Sequence, residues 1–182
     1  VFFMWMAIAI LWSVSRNVFA GFLWGLVAVL ISHSWLLSLH PLTWIGVPGS
    51  LSLPISIAIW LFCGGVGGFL VGLWSWLCNS SLFGGIRHGH LAQRLTGAVV
   101  LASIWGLAEV FLAHSPFFWI GLGGSVLPSD RLLAGLARWI GAGGLATVQL
   151  LIGFWLWNTV IAFRRGIGWR KIFSIGLFFL FL

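Results

Sequence analysis

The sequence predicts an all-α integral membrane protein, a bundle of about six hydrophobic helices with a short interfacial helix near 130–140. Three observations lead there. Of 182 residues, 61% are hydrophobic and 6% charged, against roughly 25% charged in an ordinary globular domain, so a soluble surface has too few charges to be built. The seventy positions from 17 to 86 contain no Asp, Glu, Lys or Arg, although one transmembrane helix needs only ~20 apolar residues. That stretch must enter a bilayer more than once. The nine Lys and Arg, finally, sit at the ends of apolar runs.

Charges, prolines and glycines divide the chain into apolar segments at about 1–15, 17–39, 53–78, 95–114, 141–163 and 170–182. The first and last are too short to span and are expected to be truncated. The opening Val1-Phe2-Phe3 has neither an initiator Met nor a charged signal-peptide flank, so the chain is expected to be an internal piece of a longer protein.

Basic loops stay on the cytoplasmic side of a membrane. Arg16, then Arg87 and Arg94, then Arg164, Arg165, Arg170 and Lys171 place seven cations in the odd connections, against Arg131 and Arg138 in the even ones. The odd connections are therefore predicted to be cytoplasmic, and loops 40–52 and 114–140 to face outward. A net charge of +7 would suit a nucleic-acid binder only if the cations shared one wettable face. Spread over span ends they set orientation and meet anionic headgroups instead, and nucleic acid is excluded.

Segment 128–140 starts like a helix, with Ser129 or Asp130 as N-cap. Leu132, Leu133, Leu136, Trp139 and Ile140 follow helical spacing, with Arg131 and Arg138 on the opposite face, the pattern of a helix lying in the outer interface. Fourteen Trp and no Tyr read as an interfacial belt, since Trp12, Trp24, Trp35, Trp44, Trp74, Trp76, Trp119, Trp155, Trp157 and Trp169 fall mostly near span ends. The glycine groups 64–68 and 141–144 suit close helix contacts. Neither follows a strand or precedes a Lys, which argues against a phosphate loop. Cys63 and Cys78, fifteen positions apart on one predicted helix, would stand ~22 Å apart, too far to bridge; both are read as thiols packed like small apolar residues.

Glu109 is the one acidic residue inside a predicted span. A charge at the bilayer centre costs ~2.5–3.5 kcal/mol even on the lenient insertion scale, so this carboxylate faces protein or water and has a partner. Two readings stand side by side: a packing group, paired with Arg131 or Arg138 or held protonated, and a group that meets substrate. The outward stretch from His114 to Gly123 is too apolar for a solvated loop and is predicted to dip into the interface, where it would form a wall of a lipid site. His33 and His40, seven apart, share a helical face if their span continues that far. His88 and His90 form an H-x-H pair without further ligands at workable spacing, so they read as solvated loop residues and no metal is expected. There is no nucleophile elbow, neither Cys has a base beside it, and the only Lys lies at a cytoplasmic end. Nothing in these residues makes or breaks bonds alone.

Several stretches together resemble the membrane part of bacterial apolipoprotein N-acyltransferases. They are Ala20-Gly21-Phe22-Leu23-Trp24-Gly25, then Ser34-Trp35 and the loop through Pro48, then Trp105-x-x-x-Glu109. Pro116-Phe117-Phe118-Trp119, running on to Gly121, reads like the family's G-F-P-W-x-x-x-G loop, with Pro116 before two phenylalanines in place of directly before Trp. Leu133-Ala134-Gly135-Leu136-Ala137, Gly141 and a basic turn after the next span complete the series.

The resemblance implies an enzyme that moves an acyl chain from a phospholipid donor to the α-amino group of the diacylglyceryl-cysteine at the N-terminus of an apolipoprotein acceptor. It implies a bacterial inner-membrane location, no cofactor, and an external nitrilase-like domain after 182. There a Glu-Lys-Cys triad splits the transfer into two steps through a thioester. No catalytic residue is therefore assigned in this chain, which by itself is expected to be inactive. Glu109, Pro116, Phe117, Trp119, Trp35 and His33 become the candidate substrate- or lipid-binding residues. The alternatives are a transporter or channel subunit, which would show matched halves with broken helices and intramembrane polar groups, and a non-catalytic membrane scaffold.

Overall fold

A computed structural model describes residues 2–83, 89–115, 121–126 and 131–166 of the chain. Regular structure among them is helical: α1 (Phe2–Val14), α2 (Val18–Ser32), α3 (Gly49–Asn79), α4 (Leu91–Ala113), α5 (Leu122–Val126) and α6 (Arg131–Arg164). Short 3-10 turns cover Ser34–Leu39, Leu42–Ile45 and Ser81–Phe83. Gly49–Asn79, Ala92–Ala113 and Gly135–Arg164 are long and apolar enough to cross a membrane, and α1 and α2 are shorter apolar helices of 13 and 15 residues. The protein is an all-α, multi-pass membrane protein. The last apolar segment, 170–182, lies outside the described residues.

The helix ends follow local chemistry. Asn17 caps α2, its side-chain oxygen accepting from the N–H groups of Phe19 (2.9 Å) and Ala20 (3.3 Å), two donors that the first turn leaves orphaned. The predicted segment 17–39 is not one α-helix, because the α-helical geometry stops at Ser32. His33 Nδ1 turns back to the Val29 carbonyl at 3.1 Å, and the chain continues as a 3-10 helix over Ser34–Leu39. The fourth segment starts earlier than the charge pattern indicated. Its cap is His90, whose N–H donates to the Gln93 side chain at 3.2 Å, so Arg94 lies inside the first turns of α4. Within α6 one residue, Gly141, leaves helical geometry with φ 66° and ψ −177°. That conformation suits a residue without a Cβ, and it separates 131–140 from the spanning run 142–164.

The chain divides into two compact units, Val1–Val14 with Leu77–Leu182, and Ser15–Trp76. In the first, α6 is the hub against which α1, α4 and α5 pack. Ile8 of α1 sits over Gly153, and Gly106 of α4 meets Gly143 backbone to backbone. The buried stripe Leu95, Ala98, Leu101 and Ala102 shows why α4 is helical with small residues on that side. In the second unit α2 lies on α3 through glycines from both helices: Gly21 opposite Ser75, Gly25 opposite Val71, Gly67 opposite Val29 and Gly68 opposite Phe22. Lipid tails are as apolar as leucine, so close packing has to drive such contacts.

The tryptophan belt needs correction. Trp12, at 2% exposure, and the buried Trp74 and Trp157 are core residues. Trp12 donates its indole N–H to the Leu150 carbonyl at 2.9 Å and meets the Phe154 ring edge-on at 4.9 Å. Trp35, Trp44, Trp76 and Trp139 are exposed, as an interfacial role requires.

A Cβ at Gly143 would run into the backbone of Gly106, whereas one at Gly65 meets nothing within 4 Å. Gly143→Ala is therefore expected to destabilise the protein by about 1–3 kcal/mol, the range for overpacking a tight contact. Gly65→Ala should cost nothing. Thermal unfolding of both variants in detergent checks the pair, and equal melting temperatures would remove the Gly106–Gly143 contact from the account.

Candidate functional site

In the first unit the polar groups gather around Glu109, which is 5% exposed. It lies near the end of α4, one turn after Trp105. The indole N–H of Trp105 donates to Oε1 at 2.9 Å. The chain then returns, and the backbone N–H of Leu122 donates to Oε1 at 2.7 Å while that of Gly123 donates to Oε2 at 3.2 Å. All three partners are donors and both oxygens accept, the bonding a carboxylate offers. The two backbone donors open α5, so Glu109 satisfies N–H groups that a helix start leaves unpaired.

Expectation and structure part here. An arginine was one predicted partner; the carboxylate instead takes N–H groups of the backbone and an indole. Arg138 is exposed and has its guanidinium over the Trp139 ring, 5.9 Å from the centroid, and the side chain of Arg131 lies outside the described residues. Pro116, Phe117 and Trp119 also fall outside them, so the predicted wall is described only from Gly121 onward. There is no room for a larger residue at that point, because a Cβ on Gly121 would meet the Glu109 carboxylate and one on Gly123 the Ala142 backbone.

Gln149 is the residue that sequence reasoning passed over. It is 0% exposed, and its Nε2 donates to the Leu122 carbonyl at 2.6 Å. Its Oε1 has no hydrogen-bond partner among the described residues. Glu109 from α4 and Gln149 from α6 thus hold opposite sides of the Leu122 peptide. Thr147 adds a link, its hydroxyl 3.0 Å from the Gly143 carbonyl and 3.3 Å from that of Ala102. The signal was Thr147-x-Gln149 inside an apolar run.

In the second unit, His33 is buried, its Nδ1 2.9 Å from the Ser32 hydroxyl and 3.1 Å from the Val29 carbonyl. A carbonyl only accepts, so Nδ1 is assigned as the donor. His40 belongs to a different network, since the α-helix ends before it. Ser52 Oγ accepts the Leu42 N–H at 2.7 Å and lies 2.7 Å from His40 Nδ1, tying the connection 40–48 to the first turn of α3. His33 and His40 therefore do not share one helical face and belong to two local networks. Trp35 is exposed on the 3-10 helix. A separate groove of ≈ 630 Å³ runs between α2 and α3, lined by Asn17, Phe19, Phe22, Phe69, Leu73 and Trp76 among others. Its volume falls within the range of small-molecule sites, and its walls are apolar apart from one end. Among the described residues no group of three or more His, Cys, Asp or Glu is placed to hold a metal ion.

Exchanging Glu109 for Gln keeps the shape but turns one acceptor into a donor that faces N–H groups. Hydrogen bonds to charged groups contribute about 1.5–3 kcal/mol, so Glu109→Gln should loosen 121–126 by about 2 kcal/mol and leave α4 and the run 142–164 intact. Amide hydrogen exchange in detergent is the measurement; unaltered protection of Leu122 and Gly123 would show that the carboxylate does not hold them.

No family model and no solved structure matches the chain. Among curated proteins, a relative from Prochlorococcus marinus (strain MIT 9313) is 60% identical over 181 residues, which is 98% of this chain and 36% of the relative. One from Parasynechococcus marenigrum (strain WH8102) is 53% identical over 84% of the chain and 32% of its own length. A third, from another strain of Prochlorococcus marinus (CCMP1375), is 51% identical over 97% of the chain and 36% of its own length. All three are named apolipoprotein N-acyltransferase. The chain spans about a third of the length of these relatives, and over that shared segment it belongs to the apolipoprotein N-acyltransferase family.

Proposed function

We propose that this chain is the lipid-facing membrane part of an enzyme that transfers an acyl chain from a phospholipid to the N-terminal diacylglyceryl-cysteine of apolipoproteins. The observation that carries the reading is 60% identity along 98% of the chain to a protein of that name. The bond-making groups are expected in the part of such proteins that this chain does not contain, so the segment by itself is inactive. Its role is to hold acyl chains and to present a fixed outer surface. The groove between α2 and α3 supports the first task, because an apolar trough on a lipid-facing helix pair takes an alkyl chain without desolvating a polar group. The Glu109–Leu122–Gln149 network supports the second, since interactions that hold reacting partners in place matter when a misplacement of 1 Å costs 10²-fold in rate.

The direct test joins this chain to the remainder of the Prochlorococcus marinus (strain MIT 9313) relative and supplies phospholipid and a diacylglyceryl-cysteine peptide. The chimera is expected to N-acylate the peptide and the chain alone is not. A chimera that inserts in the membrane and transfers nothing would overturn the reading. In the active chimera, Glu109→Gln should lower acyl transfer about tenfold, a loss of ~1.4 kcal/mol in transition-state stabilisation, at unchanged membrane insertion. Unchanged turnover would take Glu109 off the list of positioning residues.

The proposed location is the bacterial inner membrane, with 40–52 outward and the Arg164 end inward. In a background with Cys63 and Cys78 replaced by Ser, Trp44→Cys should react with an impermeant maleimide in intact cells, and Gly89→Cys only after permeabilisation. The reverse pattern would invert the topology.

A further inference from the structure

A second polar locus sits at the opposite end of α4 from Glu109. Arg94, half-buried in the first turns of α4, reaches across to α6, where its Nη2 donates to Oδ1 of Asn158. Asn158 is buried and donates from Nδ2 to the Phe154 carbonyl at 2.8 Å. That second bond fixes the amide with its oxygen towards Arg94, so the guanidinium is held in one place. Two helical turns past Asn158 comes Arg165. It keeps the helical turn through its N–H to the Ile161 carbonyl at 3.1 Å, so it shares the face of α6 on which Asn158 meets Arg94. Exposed Arg164 and His90 stand at the same end of the pair. Glu109, the acid of the same helix, is fifteen positions further along α4, ~22 Å at 1.5 Å per residue.

The fold therefore places like charges from positions seventy-one apart in sequence at one end of the α4–α6 pair, although their mutual repulsion opposes it. The helix dipole explains a cation at the C-terminus of α6. It does not explain why Arg94 is directed there and pinned by a buried amide. An anion between the two guanidinium groups turns the repulsion into attraction, and a planar guanidinium fork matches two phosphate oxygens. The depth is right for a headgroup, since the apolar run 142–163 ends at Arg164 and cations just past a span meet the anionic headgroup layer.

We propose that Arg94 and Arg165, with Asn158 orienting the first, form a phosphate-binding site at this end of the α4–α6 pair. The ligand is a phosphate group, carried by an anionic phospholipid or free in solution.

The test is native mass spectrometry of the full chain released from nanodiscs of phosphatidylglycerol and phosphatidylcholine in equal amounts, with and without millimolar inorganic phosphate. It reads binding, not turnover, so its failure is independent of the acyl-transfer reading. Retention of phosphatidylglycerol over phosphatidylcholine is expected, with Arg165→Gln, an exposed and structurally tolerant change, lowering retention about fivefold. Arg94→Lys, which keeps charge and loses the fork, should also lower it at unchanged helical content. Arg138→Gln at the far end of α6 should not. Resistance to inorganic phosphate supports the lipid source, and displacement by it supports the soluble one. Equal retention of the two lipids, or an equal effect of Arg138→Gln and Arg165→Gln, would overturn the proposal.

Discussion

Hydrocarbon offers no hydrogen bonds, and most of this structure can be traced to that absence. A polar atom inside the helices is costly unless the protein itself satisfies it. Trp12 donates to the Leu150 carbonyl, Trp60 to the Leu30 carbonyl and Asn158 to the Phe154 carbonyl. These acceptors belong to helical peptide groups, whose oxygens have a second lone pair to offer. The Trp12 and Trp60 bonds join different helices, so the same constraint that penalises loose polar atoms also cross-links the helices within each unit. Glu109 is the strongest case, because a carboxylate in this environment needs several donors and the α5 start has N–H groups that need an acceptor. Each solves the other's problem.

Cross-links of this length form only where backbones come close. Gly106 and Gly143 meet without side chains between them, and one turn away the Thr147 hydroxyl comes within 3.3 Å of the Ala102 carbonyl. The same glycines set the spacing at which α4 and α6 can hold α5 from two sides, Glu109 from one and Gln149 from the other. Sequence, packing and site are therefore linked in one direction. Small residues allow the approach, the approach permits the polar bonds, and the bonds fix the short helix α5 against α6. In the second unit the glycines of α2 and α3 play the same part, and the Trp60 to Leu30 bond, 2.8 Å long, is the corresponding cross-link.

The fold class was legible because it depends on a sum. Seventy uncharged positions mean membrane whatever each residue does. Features that depend on which way a residue faces were not legible. Trp12, Trp74 and Trp157 lie near span ends in sequence and yet are buried, since distance from a helix end says nothing about rotation around its axis. The end of α2 at Ser32 was hidden because Ser34–Leu39 continues the apolar run, and a 3-10 turn changes hydrogen bonding without breaking such a run. For the candidate site, Glu109 stood out by its charge, but its partners did not. Backbone N–H groups have no signature in sequence, and one neutral amide such as Gln149 hardly alters the apolarity of a long run. Pro116, Phe117 and Trp119 rest on the apolarity of their stretch and on the family resemblance, and lie outside the described residues.

Unit 1 has an electrical direction as well as a packing scheme. Helix α4 holds its acid, Glu109, at one end and Arg94 at the other, and α6 ends in Arg164 and Arg165 beside Arg94. The buried bonds fix this arrangement: Glu109 is tied to the start of α5, and Arg94 to Asn158. To reverse the pair in a membrane, the guanidinium groups of Arg94, Arg164 and Arg165 would have to cross hydrocarbon, each at ~2.5–3.5 kcal/mol even on the lenient scale. The same polar contacts that hold the helices together thus keep the acid and the cationic end of the pair apart. On the proposed sidedness, the end that would meet an external catalytic domain is the one where Glu109 and Gln149 hold the start of α5, and Arg94, Arg164 and Arg165 are left to the inner headgroups.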